Sequence, residues 1–294
     1  MKLSYKKYIV AAFALGFVIY GTKVKAQLNP LASQYYSNQY LFNPAMAGLN
    51  SGLNINLDYR KQAIGVDGSP STQSGTVEYQ MNKVGLGLNL YNDFSGLIRT
   101  SRAVVTYAYH LPIGADNQKL NFGLSAGILN QHVQTNNLIG DASDPTVANF
   151  NNKQNYVDGD FGISYTSNRL TIQGVLPNLK STFKDNNTVD KSLYFASASY
   201  KLGDPKDITL EPKAIFRGIK GANGIVDAGV NIGFNDSMFN IQGLYHSNNT
   251  ATFGFGINKA SYAVLAFYTT NTATINYNAN GDLELGLRLN LSNK

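Results

Sequence analysis

The stretch Asp282 to Leu291, D-L-E-L-G-L-R-L-N-L, decides the fold. Side chains alternate across an extended strand, so Leu283, Leu285, Leu287, Leu289 and Leu291 share one face while Glu284, Gly286, Arg288 and Asn290 share the other. The pattern recurs. Leu53, Ile55, Leu57 and Tyr59 oppose Asn54, Asn56, Asp58 and Arg60; Leu120, Phe122, Leu124, Ala126 and Ile128 oppose Asn121, Gly123, Ser125 and Gly127. Wet faces made of Gly, Ser, Asn and charges of both signs suit a water-filled or plugged lumen, and the apolar faces suit lipid. The expectation is an all-β chain folded as a transmembrane antiparallel β-barrel of about 14 strands.

Working outward, residues 1–26 have a basic start (Lys2, Lys6, Lys7), an apolar run from Tyr8 to Tyr20, and Val24-Lys25-Ala26 before Gln27. This is the layout of a secretory signal peptide. The formal charge of +6 misleads, because five of the 24 basic residues and none of the 18 acidic ones lie in this segment. The remaining chain is nearly neutral, which removes any nucleic-acid or anionic-surface argument. With no cysteine, disulfides and thiolate metal sites are excluded, so stability must come from burial or from closing a sheet. Beyond the leader no apolar run reaches the roughly 20 residues of a membrane helix, so any spanning falls to strands.

The chain from 27 to 294 reads as a single barrel domain, with an irregular lead-in over 27–50. Strands are expected at Gly52–Arg60, Thr72–Tyr79, Lys83–Tyr91, Arg99–His110, Lys119–Gln131, Tyr156–Tyr165, Leu170–Val175, Ser192–Leu202, Ile208–Phe216, Gly224–Phe234, Met238–His246, Thr250–Ile257, Tyr262–Thr269 and Asp282–Leu291. Met81-Asn82, Thr166 to Arg169, Asn235-Asp236 and Ser247 to Asn249 suit tight hairpins or periplasmic turns. Lys61–Ser71, His132–Asn155 and Pro177–Lys191 suit extracellular loops. Tyr59, Tyr79, Tyr91, Tyr107 and Tyr109 fit interfacial girdles as well as ordinary sheet propensity.

Gln34-Tyr35-Tyr36 and Tyr40-Leu41-Phe42-Asn43-Pro44-Ala45-Met46-Ala47-Gly48 resemble the opening of the PorP/SprF family of type IX secretion outer-membrane proteins, with its Asn-Pro-Ala-x-Ala-Gly signature. The likeness continues in Tyr59-Arg60-Lys61-Gln62 with Gly68-Ser69-Pro70, in Gly85-Leu86-Gly87 running to Asn92-Asp93 and Gly96, and in Phe161-Gly162-Ile163-Ser164-Tyr165 and Pro177-Asn178-Leu179. Ala63 departs from it, where the family often has Trp, as does an end on Ser292-Asn293-Lys294 where many outer-membrane barrels end on an aromatic residue. The resemblance implies an outer-membrane accessory that delivers or anchors large adhesin-type cargo through the cargo's C-terminal domain. Its implied partners are that cargo, the periplasmic and outer-membrane components of secretion and gliding, and outer-membrane lipid.

Asn43-Pro44-Ala45-Met46-Ala47-Gly48 joins a turn-favouring pair to small residues, and reads either as a turn before the first strand or as backbone passing under or into a barrel. Arg60 shares its wet face with Asp58, and Glu78 is expected to face them as an interior ion pair. Alternatively Arg60, Gln62 and Arg288 contact a plug or a bound partner. The structural motif set is Asn43, Pro44, Ala45, Gly48, Pro70, Asp93 and Gly96, with Asn92 to Gly96 read as a turn.

Only His110, His132 and His246 are available for acid–base work, and no serine lies in a Gly-x-Ser-x-Gly setting, so the chain reads as no enzyme and no cofactor or metal is assigned. Asp141, Asp144, Asp158 and Asp160 form an acidic cluster around a long loop, but the ordered Asp/Asn/Gly spacing of a calcium loop is missing, so the cluster reads as a solvated loop. A passive channel or uptake barrel and a soluble β-sandwich adhesin are the alternatives. N-terminal sequencing of the exported protein tests the leader: the expected first residue is Gln27, and a start at Met1 contradicts it.

Overall fold

The computed structural model describes residues 33–115, 117–134, 151, 155–179, 193–219, 222–271 and 281–291. The expected leader at 1–26 and the loop residues Asp141 and Asp144 lie outside them. After a 3-10 turn at Pro44–Met46 the elements that build the fold are strands. Its elements are β1 (Leu53–Lys61), β2 (Ser71–Met81), β3 (Val84–Ser95), β4 (Ile98–Pro112), β5 (Lys119–Val133), β6 (Asn155–Thr166), β7 (Leu170–Leu176), β8 (Leu193–Tyr200), β9 (Leu202–Gly203), β10 (Ile208–Ile219), β11 (Ala222–Phe234), β12 (Phe239–His246), β13 (Thr250–Asn258), β14 (Tyr262–Asn271) and β15 (Asp282–Leu291).

Each strand pairs antiparallel with its sequence neighbour, and β15 pairs with β1 from Leu53↔Leu291 to Lys61↔Leu283, which closes the sheet. β8 and β9 keep one register against β10, Ser199 opposite Lys213 and Leu202 opposite Leu210. They are one wall strand interrupted at Lys201, beside Pro212 of β10, which has no N–H to donate to a ladder. The wall therefore has fourteen strands.

Closure leaves no sheet edge, the condition for strands to cross hydrocarbon. The alternation read from the sequence sorts inside from outside. Leu285 is 48% exposed and Phe253 62%, while the intervening Glu284 is 1% and Thr252 0% exposed. Outward Tyr59, Tyr194, Tyr245 and Tyr268 lie toward one end of the wall, and Tyr79, Tyr109, Tyr200 and Tyr262 toward the other, as interfacial girdles do. Two expected girdle residues differ. Tyr107 is exposed in mid-strand, and Tyr91 has the parity of inward Asn89 and points into the lumen.

Connections alternate between the ends. Those after β1, β3, β5, β7, β10, β12 and β14 share one end, with the long 61–71 connection among them; the others, with the start of β1 and the end of β15, share the second. Ser247 to Asn249 is a tight hairpin as expected, yet it sits at the long-loop end, because β12 runs toward that end. The expected turn over Asn92 to Gly96 is shorter, since β3 continues to Ser95 and only Gly96 and Leu97 separate it from β4.

Leu287, paired with Leu57 and Val264, lies mid-wall on the outer face. Leu287→Arg is expected to cost about 2–4 kcal/mol and to deplete the folded, heat-modifiable band, whereas Leu287→Phe leaves it intact. Equal folding of the two variants on a gel contradicts the lipid-facing assignment.

Candidate functional site: a plugged lumen

The lead-in runs through the barrel. Ser33, Gln34, Tyr35, Asn38, Tyr40 and Asn43 to Gly48 are all buried, inside the ring of wet faces. The segment descends from the long-loop half toward the short-turn end, where Gly48 donates its N–H to Glu78 at 2.8 Å before β1 begins.

Its lower part is compact because Asn43 caps the 3-10 turn, its Oδ1 accepting from Ala45 N at 2.9 Å, with Pro44 at the first position, where a missing N–H costs nothing. The Asn43 amide meanwhile donates to Gln173 at 3.1 Å. Higher up, Tyr40 donates to Thr106 at 2.8 Å, Asn38 to Thr76 at 3.2 Å and Tyr35 to Asp227 at 3.3 Å, while Lys213 donates to the Tyr35 carbonyl at 2.6 Å. Tyr35, Phe42 and Phe195 stack with centroids 4.7 to 6.1 Å apart beside Ile215 and Leu244. A net stabilisation of about 0.5–1.5 kcal/mol per hydrogen bond makes this grip substantial in sum.

The wall is carved to receive the plug. A Cβ at Gly85 would overlap the Ala47 carbonyl, at Gly87 the Tyr40 ring, at Gly123 the Pro44–Ala45 peptide and at Gly162 the Asn43 side chain. Gly48 has φ +67°, and its own Cβ would strike the Gly85 Cα. Only glycine lets the two backbones approach so closely.

The wall charges are engaged with one another. Arg102 bonds Asp158 at 2.7 Å and Asp160 at 2.8 Å, Arg217 bonds Asp227 at 2.9 Å, and Arg60 bonds Asp282 at 2.6 Å. The ion pair expected at Arg60 thus forms with a different carboxylate. Glu78 sits opposite Asn54, near the other end of β1, where it holds Gly48, and Asp58 accepts from Ser74. Asp158 and Asp160 belong to β6 and are held by Arg102, which removes them from an acidic loop cluster. Among the described residues no metal-holding group of His, Asp and Glu occurs.

The other expected site residues are scattered. Arg288 faces inward beside the carboxylates of Asp58 and Glu78. Gln62 lies at the long-loop rim, its N–H donating to the Pro70 carbonyl at 2.9 Å, and Lys61 donates to Ser69 at 2.8 Å. Asp93 accepts from Thr72 at 2.7 Å, and Gly96, at φ +59°, makes the β3–β4 turn. Asp227, His246 and Thr252 form an acid–imidazole–hydroxyl chain with contacts of 2.8 and 2.9 Å, and Thr269 lies 2.7 Å from the Thr252 hydroxyl. All three are sealed from solvent, so the chain braces β11, β12 and β13.

A family model described as type IX secretion system membrane protein PorP/SprF matches residues 24–289. The chain belongs to that family. No curated relative matches the sequence. Among solved structures, the P. putida toluene transporter TodX is similar at 9% identity, covering 87% of this chain and 95% of that one, with a TM-score of 0.51. A deltaS2S3 mutant of TodX, titled a monoaromatic hydrocarbon channel, is similar at 9% identity over 86% and 94%, also at 0.51. At such identity the likeness speaks for the outer-membrane barrel fold alone. In this PorP/SprF barrel, three of the stretches that carry the sequence resemblance meet in one place: Asn43 to Gly48, Gly85-Leu86-Gly87, and Gly162 within Phe161 to Tyr165.

Gly123→Val, which overlaps the plug backbone, is expected to expose residues 33–50 to protease in detergent, whereas Gly243→Val, whose Cβ meets nothing within 4 Å, leaves them protected. Equal protection of both variants contradicts the seating described.

Proposed function

We propose that this chain is an accessory barrel of type IX secretion in the outer membrane that holds a polypeptide partner, helping to deliver or anchor large adhesin-type cargo at the cell surface through the cargo's C-terminal domain. Family membership supports the secretion system, and the filled lumen is the observation that carries the rest. A path for small solutes would need the interior that the chain's own lead-in occupies. Arg60, Arg102 and Arg217 are each paired with a wall carboxylate, and among the described residues the inward charges mix both signs instead of forming a row of one sign that would select ions.

Recognition then falls to the rims. In this reading the long-loop end faces the cell surface and meets cargo, and the short-turn end, where the plug meets β1, faces the periplasmic components of secretion and gliding. Gln62, half-buried beside the 61–71 connection, is the partner contact of choice. Arg60 acts through the wall, because it is committed to Asp282, and Arg288 faces the lumen within the field of Asp58 and Glu78, away from the rim.

The test is affinity purification of the tagged barrel from its own outer membrane in mild detergent, followed by mass spectrometry. Wild type is expected to bring down high-mass secreted protein together with secretion components, and Gln62→Glu to recover less cargo while remaining heat-modifiable. Recovery of the barrel without any protein partner contradicts the reading.

A further inference from the structure

The wall ends at unequal heights on the long-loop side. β5 and β6 stay paired up to Asn130↔Asn155, whereas β7 stops at Leu176, opposite Phe161. The next residue in register, opposite Asp160, is Pro177, which has no N–H to extend the ladder. Asn178 then turns the chain at φ +51°, its N–H donating to Asp160 Oδ1 at 3.0 Å. The stretch of β6 from Asn155 to Asp160 therefore rises beside β5 with no strand on its other side among the described residues. At the usual rise of a strand it runs for roughly 20 Å. The direction of its backbone groups follows from the β6–β7 turn. Ser167, in register just beyond β6, donates its N–H to the Leu170 carbonyl at 2.8 Å and so points toward β7. N–H direction alternates along a strand, so Asn155, Val157 and Gly159 turn theirs to the same side, away from β5.

We propose that this raised edge of β6 is a docking site for an extended segment of the polypeptide that the barrel holds, which joins the sheet as an added strand. The inference rests on the partner-holding reading above and names its surface and mode of contact. Unpaired backbone is costly in hydrocarbon, which places the edge at the aqueous rim, where water satisfies it until a second backbone does. Natural edges are blunted by lysine, proline or a bulge, and Asn155 to Asp160 has no lysine, no proline and no register shift. Its two carboxylates point inward to Arg102 and leave the edge itself without a repelling charge. The side chains describe what the incoming strand carries. On the outer face Val157 is 74% exposed and sits opposite Ile128, itself 58% exposed, so an apolar side chain is favoured beside them. On the inner face Arg102 engages Asp158 through Oδ2, while Oδ1 is buried with no hydrogen-bond partner among the described residues. A hydrogen-bond donor there would satisfy it, so the segment alternates, apolar outward and donor-bearing inward.

Because the Val157 N–H faces away from β5, Val157→Pro removes a donor from the raised edge without breaking the β5–β6 ladder, whereas Val157→Thr keeps the donor. Each tagged full-length barrel is purified from its own outer membrane in mild detergent. The readout is recovery of the high-mass secreted protein that copurifies with wild type, measured against heat-modifiable barrel. Val157→Thr is expected to retain that protein within about twofold and Val157→Pro to lose roughly tenfold, the effect of a lost backbone hydrogen bond and a blocked strand approach. Equal recovery with Val157→Pro overturns the docking edge and leaves the partner-holding function standing, whereas no high-mass protein with wild type overturns both. Should Val157→Pro not fold, photo-cross-linking decides, with benzoylphenylalanine replacing Val157 or, as control, the outward Phe253 of β13. Cross-links from position 157 alone, mapped to an alternating segment of that same protein, support the edge. Equal adducts at both positions, or none at 157, overturn it.

Discussion

Closure of the sheet between β1 and β15 is the constraint on which the rest depends. Hydrocarbon offers no water to unpaired backbone groups, so an open edge at either strand would leave a row of costly N–H and C=O groups. The nine-residue ladder from Leu53↔Leu291 to Lys61↔Leu283 removes that edge. Closure then forces alternate side chains inward, and the wet faces become the wall of a lumen. A lumen lined by Asp, Glu, Arg, Asn and Thr needs partners for its polar groups. Pairs such as Arg102 with Asp158 supply some, and the plug supplies others, as where Glu78 receives Gly48 and Thr106 receives Tyr40.

The plug and the wall are matched in shape as well as in polarity. Gly85 and Gly123 let the backbone of Asn43 to Gly48 lie against the wall, Gly162 leaves room for the Asn43 side chain and Gly87 for the Tyr40 ring, while Tyr35 and Phe42 fill an aromatic corner against Phe195. The small residues of the plug and the missing side chains of the wall are two halves of one contact. Membership of the PorP/SprF family connects this device to type IX secretion, and the filled interior turns attention from transport of solutes to the holding of protein.

The fold was legible because alternation is local: Leu283 to Leu291 and Leu53 to Tyr59 announce their outer face without reference to any neighbour. The wet faces were legible as a lumen for the same reason. What eluded the sequence is what depends on register and on which strands meet. Arg60 was expected to meet Glu78, but antiparallel pairing places Glu78 opposite Asn54, and Asp282 reaches Arg60 from the strand at the far end of the chain. The Asn43 to Gly48 segment was open between a turn and a passage into the barrel; the structure shows passage, and the inward glycines two apart, Gly85 and Gly87, are a sequence signal that could have told the two apart. The roles of Asp227 and Lys213 carried no such signal, since each is a single polar residue whose partner lies on the plug or on another strand.

Planar-bilayer conductance tests the plugged lumen most directly, by comparing the purified wild-type barrel with a variant lacking residues 33–48. The account predicts a closed wild-type barrel without steady current and a sustained conducting state in the variant. Steady conduction by wild type, or an equally silent variant that is folded and inserted, would contradict it.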